Sequence, residues 1–173
     1  MAKSATNDND IDTGAVAAAT IFREARLLDR CEWADWVAMY REDAVYWVPG
    51  WLDECETTSD PATQVSLIYH DARRGLEERI ARIESRKSIT ALPLPRTVHQ
   101  ISNIEASETG PGQISCDSVF AVHVYDPRVA KGHVHHGRYR HTLTREGEEW
   151  KIARKVITIV NDRVPTLLDF YSI

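Results

Sequence analysis

Four imidazoles fall within nine residues, at His133, His135, His136 and His141, and they are the first side chains to test for chemistry. On a strand, residues two apart share a face, so His133 and His135 would project together, with His141 at the same parity. Two ring nitrogens on one face can chelate zinc or iron, but a site of that kind needs a further ligand close by. The next carboxylate is Glu146, across a turn. The spacing therefore favours partly solvated histidines on an outward or interface face over a metal centre. A Rieske cluster fits no better, because it needs two Cys and two His ligands. Cys116 is followed by Asp117 and Ser118, and neither Cys31 nor Cys55 has a histidine close behind. Gly110-Pro111-Gly112 is a turn without a phosphate-binding loop, and no Gly-x-Ser-x-Gly elbow is present. On these grounds no catalytic, cofactor-binding or metal-ligating residue is assigned.

Acid–base chemistry in a pocket is the remaining possibility. Tyr40, His70, His99 and Asp35 are the polar residues nearest the elements that would line one. His99, in Thr97-Val98-His99-Gln100, begins a strand among apolar neighbours. Paired with Tyr40 or Asp35 it could act as a base near neutral pH. A buried histidine bonded to backbone is the commoner arrangement. Trp33 and Trp36 have helical spacing and belong to a core, whereas Trp47 and Trp51 flank Pro49-Gly50 at a strand end. Aromatics at such an edge suit an interface.

The elements that must position these residues change period along the chain. Thr13 to Leu28 carries Ala18, Ile21, Ala25 and Leu28 at helical spacing. Asp29 with Glu32 resembles a capping box, predicting a second helix whose face is Trp33, Trp36, Val37 and Tyr40. Ala44 to Val48 reads as a strand, Gly50 to Thr63 as a polar loop and Val65 to Tyr69 as a second strand. Ala72 to Ser85 reads as a third helix, and Ala91 to Pro95 as an extended connector, since its prolines cannot continue a helix. Four long strands follow, at 98–106, 113–125, 133–144 and 149–161, separated by turn residues. Connections this short require antiparallel neighbours, hence a meander. Phe120, Val122 and Val124 mark one face of it, with Ile152, Val156 and Val160 in the last strand. The architecture expected is α+β: a strongly curved, mainly antiparallel sheet wrapped over N-terminal helices as a cone with an open mouth.

A length of 173 residues suits one domain over 13–173, after a disordered lead-in over 1–12. The net charge is −5 and the pI near 5.8, so nothing draws the chain to nucleic acid or an anionic membrane. No apolar run approaches the roughly 20 residues that span a bilayer. The lead-in lacks the apolar segment of a signal peptide. Three scattered cysteines fit a reduced compartment, so the cytoplasm is expected.

The order and wording of the elements resemble the beta (small) subunits of bacterial aromatic-ring-hydroxylating dioxygenases of the benzoate, toluate and anthranilate type. The stretches that carry the resemblance are Phe22 to Trp51, Ser66 to Ile83, Arg96 to Glu105 and Lys155 to Asp162. None is a catalytic motif; the specificity lies in their combination. The resemblance implies a cone-shaped, nuclear-transport-factor-like fold and assembly of three small with three large (alpha) subunits, served by a separate reductase. It also implies that the Rieske [2Fe–2S] cluster and a mononuclear non-haem iron sit in the large subunit, with no cofactor in this chain. The function so implied is a non-catalytic structural subunit of an oxygenase that dihydroxylates a benzoate-like ring. A stand-alone dehydratase or isomerase of the same fold, using His99, is the enzyme alternative, and a small-ligand-binding module is a third reading.

Overall fold

The computed structural model describes residues 12–86, 92–161, 164 and 168–173. Helix α1 (Thr13–Asp29) opens on Asp12, whose carboxylate accepts the Ala15 N–H at 3.0 Å. That bond satisfies one of the N–H groups a helix start leaves unpaired. Asp12 is thus a cap rather than part of a lead-in, while residues 1–11 lie outside the described residues. The buried stripe of α1 includes Ala17, Ile21, Glu24, Ala25 and Leu28.

Helix α2 (Trp33–Ala38) is shorter than its aromatic spacing predicts. Its N-cap is Glu32, which makes no side-chain capping bond, so the expected capping box with Asp29 is not formed. Tyr40 leaves the helix and begins strand β1 (Tyr40–Pro49). Tertiary pairing overrides the local pattern there: Ile152 donates its N–H to Met39, and Tyr40 pairs with Ile152. The remaining elements are β2 (Ser66–His70), α3 (Arg73–Glu84), β3 (Arg96–Gly110), β4 (Gln113–Asp126), β5 (Lys131–Glu146) and β6 (Glu149–Ile159). A 3-10 turn, Phe170–Ser172, follows. Gly112 and Gly147, with φ of +67° and +62°, make the two tight turns of the meander.

The sheet order is β2-β1-β6-β5-β4-β3. The antiparallel meander of β3 to β6 is as expected. The sequence does not foresee that β1 joins it parallel to β6, with β2 antiparallel outside β1. The sheet has six strands, and β2 and β3 form its two edges, so it curves without closing. Helix α1 lies against β3 and β4, and α3 against β1 and β2, which places the core on the inner face.

Strands β4 and β5 alternate strictly, burying Ile114, Cys116, Phe120, Val122 and Val124, and His135, Tyr139, His141 and Leu143. Strand β6 does not. Thr142 pairs with Arg154 but Leu143 pairs with Ile152, so Ala153 is an extra residue, a bulge that inverts the parity. The buried face is therefore Ile152, Lys155, Ile157 and Ile159. This corrects the expectation of Ile152, Val156 and Val160; Val160 is 44% exposed.

Candidate functional site

The interior of the cone holds a polar centre. The pairing register places Tyr46 of β1, Lys155 of β6 and His141 of β5 side by side in one row of the inner face. Glu24 of α1 lies over that row. Lys155 Nζ donates to Glu24 Oε1 at 2.9 Å, His141 Nε2 lies 3.1 Å from Glu24 Oε2, and the Tyr40 hydroxyl donates to Glu24 Oε1. The four side chains are essentially excluded from solvent. Lys155 also sits 4.2 Å from the centre of the Tyr139 ring, a cation–π contact. Burial works to raise the Glu24 pKa, but the charge of Lys155 and the bonds from His141 and Tyr40 hold it well below the usual carboxylate range. Burial lowers the pKa of His141 and of Lys155, and Glu24 opposes both shifts. The Tyr40 hydroxyl is held well above its ordinary value by burial and by the charge of Glu24. Glu24 is thus an ionised hub joining one helix to three strands.

His99 has a carboxylate partner, but it is neither Tyr40 nor Asp35. Tyr40 belongs to Glu24, and Asp35 is on the exposed side of α2. Asp29, the last residue of α1, lies with Oδ1 2.6 Å from His99 Nδ1. It also accepts the Thr97 hydroxyl and the His99 N–H, each at 3.0 Å. Burial raises the Asp29 pKa, yet these bonds from His99 and Thr97 carry it below its ordinary value. The His99 side chain is 1% exposed and its Nε2 has no hydrogen-bond partner. Such a dyad fixes an imidazole and leaves one nitrogen free, which is the minimum for acid–base work. It equally pins the end of α1 to the edge strand β3. His70 lies apart, its ring packed where a side chain on Gly75 would stand.

The histidines of β5 face inward, which overturns the outward placement read from their spacing. His135 and His141 are wholly buried, and the His133 and His135 rings lie 4.8 Å apart. His135 Nδ1 bonds the Ser172 carbonyl at 2.8 Å. Only His136 lies outward, its N–H donated to the Asn161 side chain. Among the described residues no three His, Cys, Asp or Glu side chains are arranged to hold a metal. Cys31 and Cys55 are exposed, and Cys116 is buried, its thiol pushed up to about 11 by burial and by Asp117. These donors do not fit a Rieske cluster.

Aromatic side chains close the rest of the interior. Phe170 stacks on Trp36 at 4.6 Å and meets Trp33 edge-on at 5.4 Å, and Ile173 is fully buried. Trp47 is not an exposed anchor: it is 6% exposed, donates to the Ser66 hydroxyl and packs under Arg154. Trp51 is 37% exposed and donates to the Ile159 carbonyl. Leu52 beside it in the chain, and Val65, Leu67 and Tyr69 at and along β2, are likewise exposed apolar side chains.

Glu24 and Lys155 were not legible as functional positions. Glu24 stands within the apolar stripe of α1, which is a usable signal. Lys155 reaches the inner face only because of the Ala153 bulge.

Residues 23–166 match the model of the ring hydroxylating beta subunit family. The chain is 35% identical to the benzoate 1,2-dioxygenase subunit beta of Acinetobacter baylyi, covering 88% of this chain and 89% of that one. It is 37% identical to the 2-halobenzoate 1,2-dioxygenase small subunit of Burkholderia cepacia, over 90% and 93%. The crystal structure of the benzoate 1,2-dioxygenase beta subunit of Burkholderia mallei superimposes with a TM-score of 0.74 at 32% identity, covering 90% and 94%. The cone-shaped α+β fold is therefore that of these subunits. Matched along nearly its whole described length, the chain belongs to the ring-hydroxylating dioxygenase beta subunit family, the small oxygenase components of multicomponent oxidoreductases.

Proposed function

We propose that this chain is a non-catalytic scaffold within its oxygenase, holding iron-bearing large subunits in a closed ring of three large and three small subunits. The observation that carries this reading is the likeness to small oxygenase components over residues 23–166 and over 88% of the chain. The Rieske cluster and the mononuclear iron are accordingly assigned to the large subunit, and electrons to a separate reductase. Benzoate and 2-halobenzoate, named for two relatives, are both aromatic carboxylates. An acid of that class is the substrate proposed for the complex, with a cis-dihydrodiol as product. No described helix is long and apolar enough to cross a membrane, and the cytoplasm is the proposed location. The patch around Trp51 on the β2 edge is the proposed contact with one large subunit.

Reconstitution tests the reading. The chain, the large subunit and the reductase are combined with benzoate, NADH and oxygen, and the dihydrodiol is measured. Product should require the large subunit and the reductase, with the chain alone inert. Turnover of benzoate by the chain alone would contradict the proposal.

A further inference from the structure

The edge of the sheet opposite β2 carries a second surface that the Trp51 patch does not explain. A cleft of about 900 Å³ lies between α1 and strands β3 and β4, at the β3 edge of the sheet. Its apolar lining includes Phe22, which is 47% exposed, and Val119, which is 39% exposed. Its flanks are basic. Arg26 in the last turn of α1 and Arg30 at its C-cap stand four residues apart, and His136 closes the far side. The register sets Arg138 directly opposite Val119, extending the positive flank on β5. Arg26 forms no ion pair among the described residues, and Arg30 reaches Glu32 only at 4.0 Å with both side chains largely exposed. The one carboxylate in the lining, Asp29, is already bonded by Thr97 and His99. The lining thus sets two guanidinium groups against one carboxylate, a local positive excess on a chain whose net charge is −5.

We propose that this α1–β3 cleft docks an acidic, aromatic-containing segment of a large subunit, so that the small subunit grips a large subunit at each edge of its sheet. The inference rests on the reading of the chain as a scaffold subunit. Charge complementarity selects the occupant: guanidinium groups favour carboxylates bidentately, and Phe22 with Val119 offers an apolar floor for a ring.

The test titrates purified large subunit with the full-length wild-type chain and with Arg26→Glu, Arg26→Lys and Arg74→Glu, at low and at high salt. Circular dichroism verifies that each variant is folded. Arg74 lies on α3, pairs with Glu78 and is 84% exposed, so its reversal makes the same charge change away from the cleft. Arg26→Glu should raise Kd by about tenfold or more, as for close charge pairs across interfaces, while Arg74→Glu stays near wild type. Arg26→Lys, which keeps the charge but loses the bidentate fork, should fall between them. High salt should weaken the wild-type complex and narrow its difference from Arg26→Glu. A wild-type chain that binds, with Arg26→Glu binding equally well, overturns the cleft but leaves the scaffold role standing. Equal weakening by Arg74→Glu also overturns it, since the effect would then be one of net charge. A wild-type chain that does not bind the large subunit overturns the scaffold role and the cleft together.

Discussion

At the scale of single residues, the ionised Glu24 beneath Lys155 sets the energetics of the interior. Removing one member of a buried pair leaves the other charge without compensation, which costs about 3–5 kcal/mol. Glu24→Gln and Lys155→Met are each expected to destabilise the chain by that order, measured by urea unfolding. The double variant should lose less than the sum of the two. The pH dependence has a definite sign. The folded-state pKa of Glu24 lies below its ordinary 4.5, and that of Asp29 below its ordinary 3.8. The unfolded chain therefore binds more protons in this range, and stability that is complete above pH 4.5 falls as pH drops through it. Glu24→Gln should flatten that acid limb in unfolding curves recorded at successive pH values. A wild-type stability that stays level from neutral pH down to 3.8 would refute the assignment. His99 illustrates how far residue types carry. Its strand and its need for a carboxylate were legible, but Asp29 was taken for a helix cap. Only the packing of α1 on β3 brings that carboxylate to the imidazole.

At the scale of elements, two close fits decide how the sheet and helices meet. A Cβ at Gly137 would stand 2.0 Å from the Thr158 carbonyl oxygen on the neighbouring β6. Backbone cannot yield as a flexible side chain can, so Gly137→Ala should cost about 1–3 kcal/mol or more, read as a lowered Tm. Phe170 fills the space between Trp33 and Trp36, and Phe170→Ala should cost about 3–5 kcal/mol as a cavity opens in the core. A Tm unchanged by Phe170→Ala would show that this segment does not hold the cone closed. The helices and the meander were legible because apolar periodicity and turn residues are local signals. Two features were not. The parallel pairing of β1 with β6 joins segments far apart in sequence, and the Ala153 bulge leaves no compositional mark. Missing the bulge misassigned one whole strand face and concealed Lys155.

At the scale of the whole molecule, two unlike surfaces lie at opposite edges of one sheet, an apolar patch by β2 and a basic cleft by β3. Two dissimilar, non-overlapping contacts are what a subunit needs to bridge neighbours in a ring. Leu67, 50% exposed on the edge strand, offers a probe of the first. Leu67→Glu should leave the fold intact and weaken capture of the large subunit, measured by co-purification. Unchanged yield would remove that patch from the interface. Whether this chain is an iron-free scaffold of an iron-bearing oxygenase is decided by light scattering with iron analysis. The chain is measured alone and after co-expression with the large subunit. An iron-free small species is expected alone, and a complex of about six subunits that contains iron and this chain in equal number with the large subunit is expected after co-expression. A chain that stays apart from the large subunit, or carries the iron itself, would contradict it.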